Sequence, residues 1–124
     1  MTVKTLTAAD FEDTIVASPI ALVDFWAPWC GPCRVFAPVF ERSAQNHPNI
    51  VYAKVNTDAE QELATTVGIR SVPTIMAFRE GILVYSRPGA MSPAVLDDLI
   101  GKIKSLDMTK VRAKIAERKA AAKA

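Results

Sequence analysis

Residues Ile20-Ala21-Leu22-Val23-Asp24-Phe25-Trp26 form a run that is apolar at every position but Asp24. A short run rich in β-branched and aromatic side chains, with no polar alternation, belongs to a strand covered on both faces. Such a strand lies in the middle of a sheet, and the chain must supply helices above and below it. The flanking sequence does so. Thr7-Ala8-Ala9-Asp10 reads as a helix cap with an acid at the third helical position, and Phe11, Ile15 and Val16 form a stripe behind it. After Cys33 a helical stretch carries Val35, Phe36, Val39 and Phe40, with Pro38 placed to kink it and His47-Pro48-Asn49 to end it.

The alternation continues. Ile50–Val55 reads as a strand, and Asp58 is placed to cap a short helix through Leu63 and Val67 that Gly68 closes. Thr74–Phe78 and Ile82–Tyr85 flank Arg79-Glu80-Gly81, the pattern of an antiparallel hairpin. Ser92-Pro93 opens a helix with Val95, Leu96, Leu99, Ile100 and Ile103. The order β-α-β-α-β-α-β-β-α predicts an α/β domain, a central mixed sheet flanked by helices. At 124 residues, half of them apolar, the chain is one domain that builds its core without a disulfide staple or a structural metal.

The two cysteines therefore need another explanation. Cys30 and Cys33 are too close in sequence for a bridge between them to stabilise folding. They sit in Trp29-Cys30-Gly31-Pro32-Cys33, which follows the buried strand and opens a helix. At a helix N-terminus, unpaired N–H groups and the macrodipole favour an anion, so Cys30 is favoured as the thiolate, the reactive form. Cys33 lies one turn on along the same side. Pro32 fits the first turn at little cost, and Gly31 keeps the approach to the sulfur open. The pattern predicts an exposed nucleophile, Cys30, and a shielded resolving thiol, Cys33. Two small core residues or half a zinc site are the alternatives. Zinc takes four ligands, and the sequence has no third cysteine and only one histidine, His47, which reads as surface punctuation. Asp24 is either an Asp at a strand edge bonded to backbone or a buried carboxyl whose pKa rises until it serves as a general acid/base near neutral pH.

Residues Val23–Cys33, Ala37-Pro38 and Ile69-Arg70-Ser71-Val72-Pro73-Thr74 resemble the thioredoxin family over roughly residues 1–107. The resemblance implies a thioredoxin fold and a protein disulfide reductase. In it Cys30 attacks, Cys33 resolves, and Asp24 moves a proton from behind Cys33 with Lys54 as the nearby cation. It implies a cis bond at Val72–Pro73, with the Val72 backbone pairing to the substrate chain. Trp29, Gly31, Pro32, Ile69, Val72, Pro73, Gly89 and Ala90 make up the implied docking surface, supported by Trp26, Lys54 and Pro38. The implied partners are disulfide-containing target proteins and a flavin-containing thioredoxin reductase that uses NADPH; no cofactor is bound to this chain. Pro88 departs from the aliphatic residue usual before that glycine, and Arg34 stands where lysine is commoner. Two rivals remain: an oxidase or isomerase on the same fold, disfavoured by Gly31-Pro32 between the cysteines, and a binding module with incidental redox activity.

No basic-then-apolar leader opens the sequence at Met1–Leu6, and no apolar stretch is long enough to span a membrane. The expectation is a soluble, cytoplasmic monomer. Residues 1–107 hold nine Lys/Arg and twelve Asp/Glu, whereas residues 108–124 hold six and one. This C-terminal extension is rich in strong helix formers, with a thin stripe of Met108, Val111 and Ile115. It reads either as a frayed, solvated helix or as a basic anchor for an acidic protein, nucleic acid or anionic lipid.

Overall fold

The computed structural model describes residues 2–123; Met1 of the leader reading and Ala124 of the extension reading lie outside them. The doubly covered run becomes β2 (Ile20–Trp26), with the bounds read from the sequence. It is the third strand of a five-stranded sheet, between β3 (Val51–Asn56), to which it runs parallel, and β4 (Thr74–Arg79), to which it runs antiparallel. The short β1 (Val3–Thr5) lies parallel to β3 at one edge, and β5 (Ile82–Pro88) lies antiparallel to β4 at the other.

Two cores form, one on each face. On the first, Phe36, Phe40 and Ala44 of α2 (Gly31–Asn46) and Leu96, Leu99, Ile100 and Ile103 of α4 (Pro93–Lys104) pack on Leu22, Tyr52, Ile75 and Ala77. On the second, Phe11 and Ile15 of α1 (Phe11–Ala17), with Leu63 of α3 (Gln61–Thr66), cover Val23, Phe25, Ala53, Val55, Met76 and Phe78. Alternation along a strand sends neighbouring side chains to opposite faces, which is why β2 had to be apolar throughout.

Val16, Val35 and Val95, read as part of the core-facing stripes, are exposed. Each neighbours a residue that does face the sheet, and the buried arc of each helix is narrower than the run of apolar letters. Asp10 forms half of the expected cap: its carboxylate accepts from the Thr7 N–H at 2.7 Å, and the helix begins at Phe11. Asp58 does not cap α3, whose N-cap is Glu60 with no side-chain capping bond. The hairpin link is shorter than Arg79-Glu80-Gly81: Arg79 pairs with Ile82 as the last residue of β4, and the loop is Glu80-Gly81, both at positive φ (54° and 80°), as a tight primed turn requires. Ser92 caps α4 by accepting from the Val95 N–H at 3.2 Å.

The extension is a helix, α5 (Met108–Lys123). Asp107 caps it by accepting from the N–H groups of Thr109 and Lys110. It is not wholly solvated. Met108 is buried, Val111 and Ile115 are half-buried, and Arg112 pairs with Glu80 of the hairpin loop. The two residues of that turn region divide the work, because Arg79 donates from Nη1 to the carbonyls of Ile103 and Leu106 at 2.9 and 3.0 Å, holding the C-terminal end of α4. Among the described residues no helix is long and apolar enough to cross a membrane.

Candidate active site

The site forms where β2 ends and α2 begins. Cys30 is the N-cap residue of α2, in an extended conformation, and its Sγ accepts from the Cys33 N–H at 3.2 Å. That sulfur therefore sits where the first unpaired amides of the helix point, as the sequence predicts. Pro32 occupies the first turn, where its missing N–H breaks no helical bond. The Cys30 and Cys33 sulfurs are joined as a disulfide, with Cα atoms 5.2 Å apart. Arg34 donates to the Pro28 carbonyl at 2.9 Å, tying the helix back to the loop that leads into it.

The expected contrast in exposure between the cysteines is not found. Cys30 is 4 % exposed and Cys33 2 %. Bonded to Cys33, Cys30 packs with Ala27 and Val72 in a small apolar cluster that Trp26 also joins. Its sulfur lies 3.6 Å from the Val72 carbonyl oxygen. The Val72–Pro73 peptide bond is cis, and the Pro73 carbonyl accepts from the Gly89 N–H at 2.8 Å. These contacts gather Cys30, Val72, Pro73 and Gly89 at one edge of the site. Gly89 has φ of +105°, a conformation that suits glycine. Pro32, Gly89 and Ala90 are exposed, Gly31, Ile69 and Val72 half-buried and Pro73 buried. Pro38 lies exposed in the middle of an unbroken α2, and Pro88 pairs with Thr74 at the end of β5.

Trp29 is 68 % exposed, a large apolar surface beside the sulfurs. Its indole N–H donates to the Asp58 carboxylate at 3.1 Å, fixing the ring. This is the role Asp58 takes in place of capping α3. No local pattern announces it, because the two residues are 29 apart and only the fold brings them together.

Asp24 lies beneath this surface. Leu22, Asp24 and Trp26 alternate onto one face of β2, the face that carries α2. Asp24 is buried, and its Oδ1 has no hydrogen-bond partner among the protein atoms; the same is true of Trp26 Nε1. Burial pushes the Asp24 carboxyl up to about 7, while Lys54, opposite it in register on β3, pulls the other way and loses. Lys54 Nζ also stands 5.7 Å from the centroid of the Trp26 ring. The strand-edge alternative is thereby removed: Asp24 is on a central strand, flanked by β3 and β4. Among the described residues no cluster of three or more His, Cys, Asp or Glu is placed to hold a metal ion.

Residues 2–105 match the family model described as Thioredoxin. The chain belongs to the thioredoxin family. It is 46 % identical over 117 residues to the Streptomyces coelicolor protein called "Putative thioredoxin 2", a match covering 94 % of this chain and 87 % of the relative. It is 44 % identical to thioredoxin 1 of Synechococcus elongatus, covering 78 % of this chain and 92 % of that one. Among solved structures, a variant thioredoxin from Halobacterium salinarum superposes with a TM-score of 0.79 at 32 % identity, covering 85 % of this chain and 93 % of that one. The fold is thus the thioredoxin fold with a C-terminal helix, and the paired cysteines make the chain a thiol–disulfide oxidoreductase.

Proposed function

We propose that the protein reduces disulfides in target proteins and is itself re-reduced by a flavin-containing thioredoxin reductase drawing on NADPH. The observation that carries this reading is the placement of the Cys30–Cys33 pair. It caps a helix, with the Val72 backbone and an exposed Trp29 at its rim.

In the reduced protein the Cys30 thiolate attacks one sulfur of a target disulfide. A mixed disulfide forms and the target's other sulfur leaves as a thiolate. Cys33 then gives up its proton and attacks the Cys30 sulfur. The Cys30–target bond breaks, the second target sulfur leaves as a thiolate, and the Cys30–Cys33 disulfide remains. Two electrons have passed to the target. Asp24, with a pKa near 7, is suited to take the Cys33 proton, directly or through a water. The half-buried Val72 backbone at the rim is suited to pair with the substrate chain, as an added strand would. Trp29, Gly31, Pro32, Ile69, Pro73, Gly89 and Ala90 supply the docking surface, with Trp26, Lys54 and Pro38 in support. A cytoplasmic location fits this reading, because thiols there are kept reduced and a close cysteine pair serves catalysis more often than structure.

The test is NADPH consumption in a coupled assay with thioredoxin reductase and insulin. The unaltered chain sustains turnover, whereas Cys33→Ser stops after one attack and accumulates mixed disulfides visible by mass spectrometry. Sustained turnover by Cys33→Ser overturns the two-cysteine scheme. Absence of turnover by the unaltered chain overturns the reductase reading.

A further inference from the structure

β5 is an outer strand, paired with β4 alone. Beside it runs an open groove of about 230 Å³, walled by Ile82, Leu83 and Val84 from the strand and by Val111, Lys114, Ile115 and Arg118 from α5. Spacings of three and four put those four α5 residues on one face of the helix. The groove therefore has an apolar floor and two cations on one rim. Leu83 is 49 % exposed, a large apolar side chain left open to solvent there. No carboxylate lines the groove among the described residues. Glu80 is engaged by Arg112, and Asp98, in the neighbouring cavity, pairs with Lys102 at 3.1 Å.

The complement of such a surface has apolar side chains on one side and carboxylates along an edge. A bilayer does not fit, because the apolar stripe of α5 already faces β5 and leaves no second apolar face to enter lipid. A nucleic-acid backbone does not fit an apolar floor with two cations. The groove also lies far from the dithiol. Register places Arg79 and Ile82 beside the Ile20 end of β2, whereas the cysteines follow Trp26 at its other end. A strand of that length puts roughly 20 Å between them. An occupant of the groove leaves the sulfurs open.

We propose that the groove between β5 and α5 docks an acidic, leucine-patterned peptide segment of a partner protein, tethering it while its disulfide meets Cys30–Cys33. Such a tether raises the local concentration of the disulfide to roughly the millimolar range without any new contact at the sulfurs. The tethering consequence rests on the reductase reading; the docking does not, and binding is measured without turnover, so each can fail alone.

The probe is a short fluorescent peptide alternating leucine and glutamate, titrated into the full chain by anisotropy, with a leucine–lysine peptide as its counterpart. The acidic peptide binds and the basic one does not. Lys114→Glu/Arg118→Glu weakens binding by about tenfold or more, and Leu83→Ser, which leaves every charge in place, by a few fold. Lys119→Glu/Lys123→Glu makes the same change of charge at positions that do not line the groove, about 100° or more around the helix from Lys114 and Arg118, and leaves affinity within about twofold. Equal losses in the two double variants mean a general attraction for polyanions and overturn the proposal. So does failure of the unaltered chain to bind the acidic peptide. Tighter binding to phosphatidylglycerol vesicles or to oligothymidylate than to the peptide, insensitive to Leu83→Ser, overturns it in favour of a lipid or nucleic-acid anchor.

Discussion

α2 and α5 are both sixteen residues long, and both start at a side chain that accepts from the first free amides, Cys30 in one and Asp107 in the other. There the likeness ends. α2 contains Pro38, two β-branched valines and two phenylalanines, a poor set for an isolated helix, yet it buries five residues against the sheet. α5 is built from alanine, lysine and arginine, a good set, yet it buries only Met108. Tertiary packing makes α2 helical, and local propensity makes α5 helical. The helix that carries the chemistry is thus locked to the core, and the one that carries the basic excess is held at its first half by a few contacts.

The largest expected effect tests that contrast directly. Phe36→Ala leaves a cavity between α2 and the sheet and lowers unfolding stability in urea by about 3–5 kcal/mol. Ile115→Ala in α5 costs about 1 kcal/mol or less, since the side chain is half-buried and alanine is the better helix former. Comparable losses would erase the distinction between the two helices.

Asp24, under α2, comes next. Its folded pKa, near 7, stands above the unfolded value of 3.8. Between those pH values the unfolded chain has released a proton that the native state still holds, so stability falls as pH rises through this window. Asp24→Asn removes the fall. It is more stable than the parent by roughly 4 kcal/mol at about pH 8 and equal to it at about pH 3. The same variant slows release of the mixed disulfide more than its formation. A resolution rate unchanged between about pH 6 and 9 rules Asp24 out as the proton carrier.

The smallest effect belongs to α5. Arg112→Ala loses a surface ion pair worth about 1 kcal/mol or less, and global stability barely moves. Amide exchange in α5 accelerates while that of α2 stays the same. Acceleration in both would mean that the two helices share one cooperative unit.

Much of this was legible in the sequence because it was local. The β2 bounds, the Ser92 cap and the presence of a glycine-containing hairpin turn each follow from a few adjacent residues. Asp24 was legible as an anomaly, a carboxyl in a run that otherwise demanded burial. What escaped depends on residues far apart in the chain. Asp58 looked like a helix cap because nothing local shows that Trp29 stands above it. Val16, Val35 and Val95 read as core because an apolar letter carries no angle. Cys30 was expected to be exposed because its shielding comes from Val72, 42 residues away. The docking of α5 turned on Glu80, 32 residues from its partner Arg112.

Arg79 and Glu80 carry one further consequence, for the order of events in folding. Arg79 ties the hairpin to the end of α4, and its neighbour ties the hairpin to α5. The ion pair that anchors α5 has no partner on the hairpin until β4 and β5 have joined and the turn between them has closed. Neither strand needs α5 in order to pair. The expectation is that α5 joins last and leaves first, in a local opening that leaves the sheet and the dithiol folded.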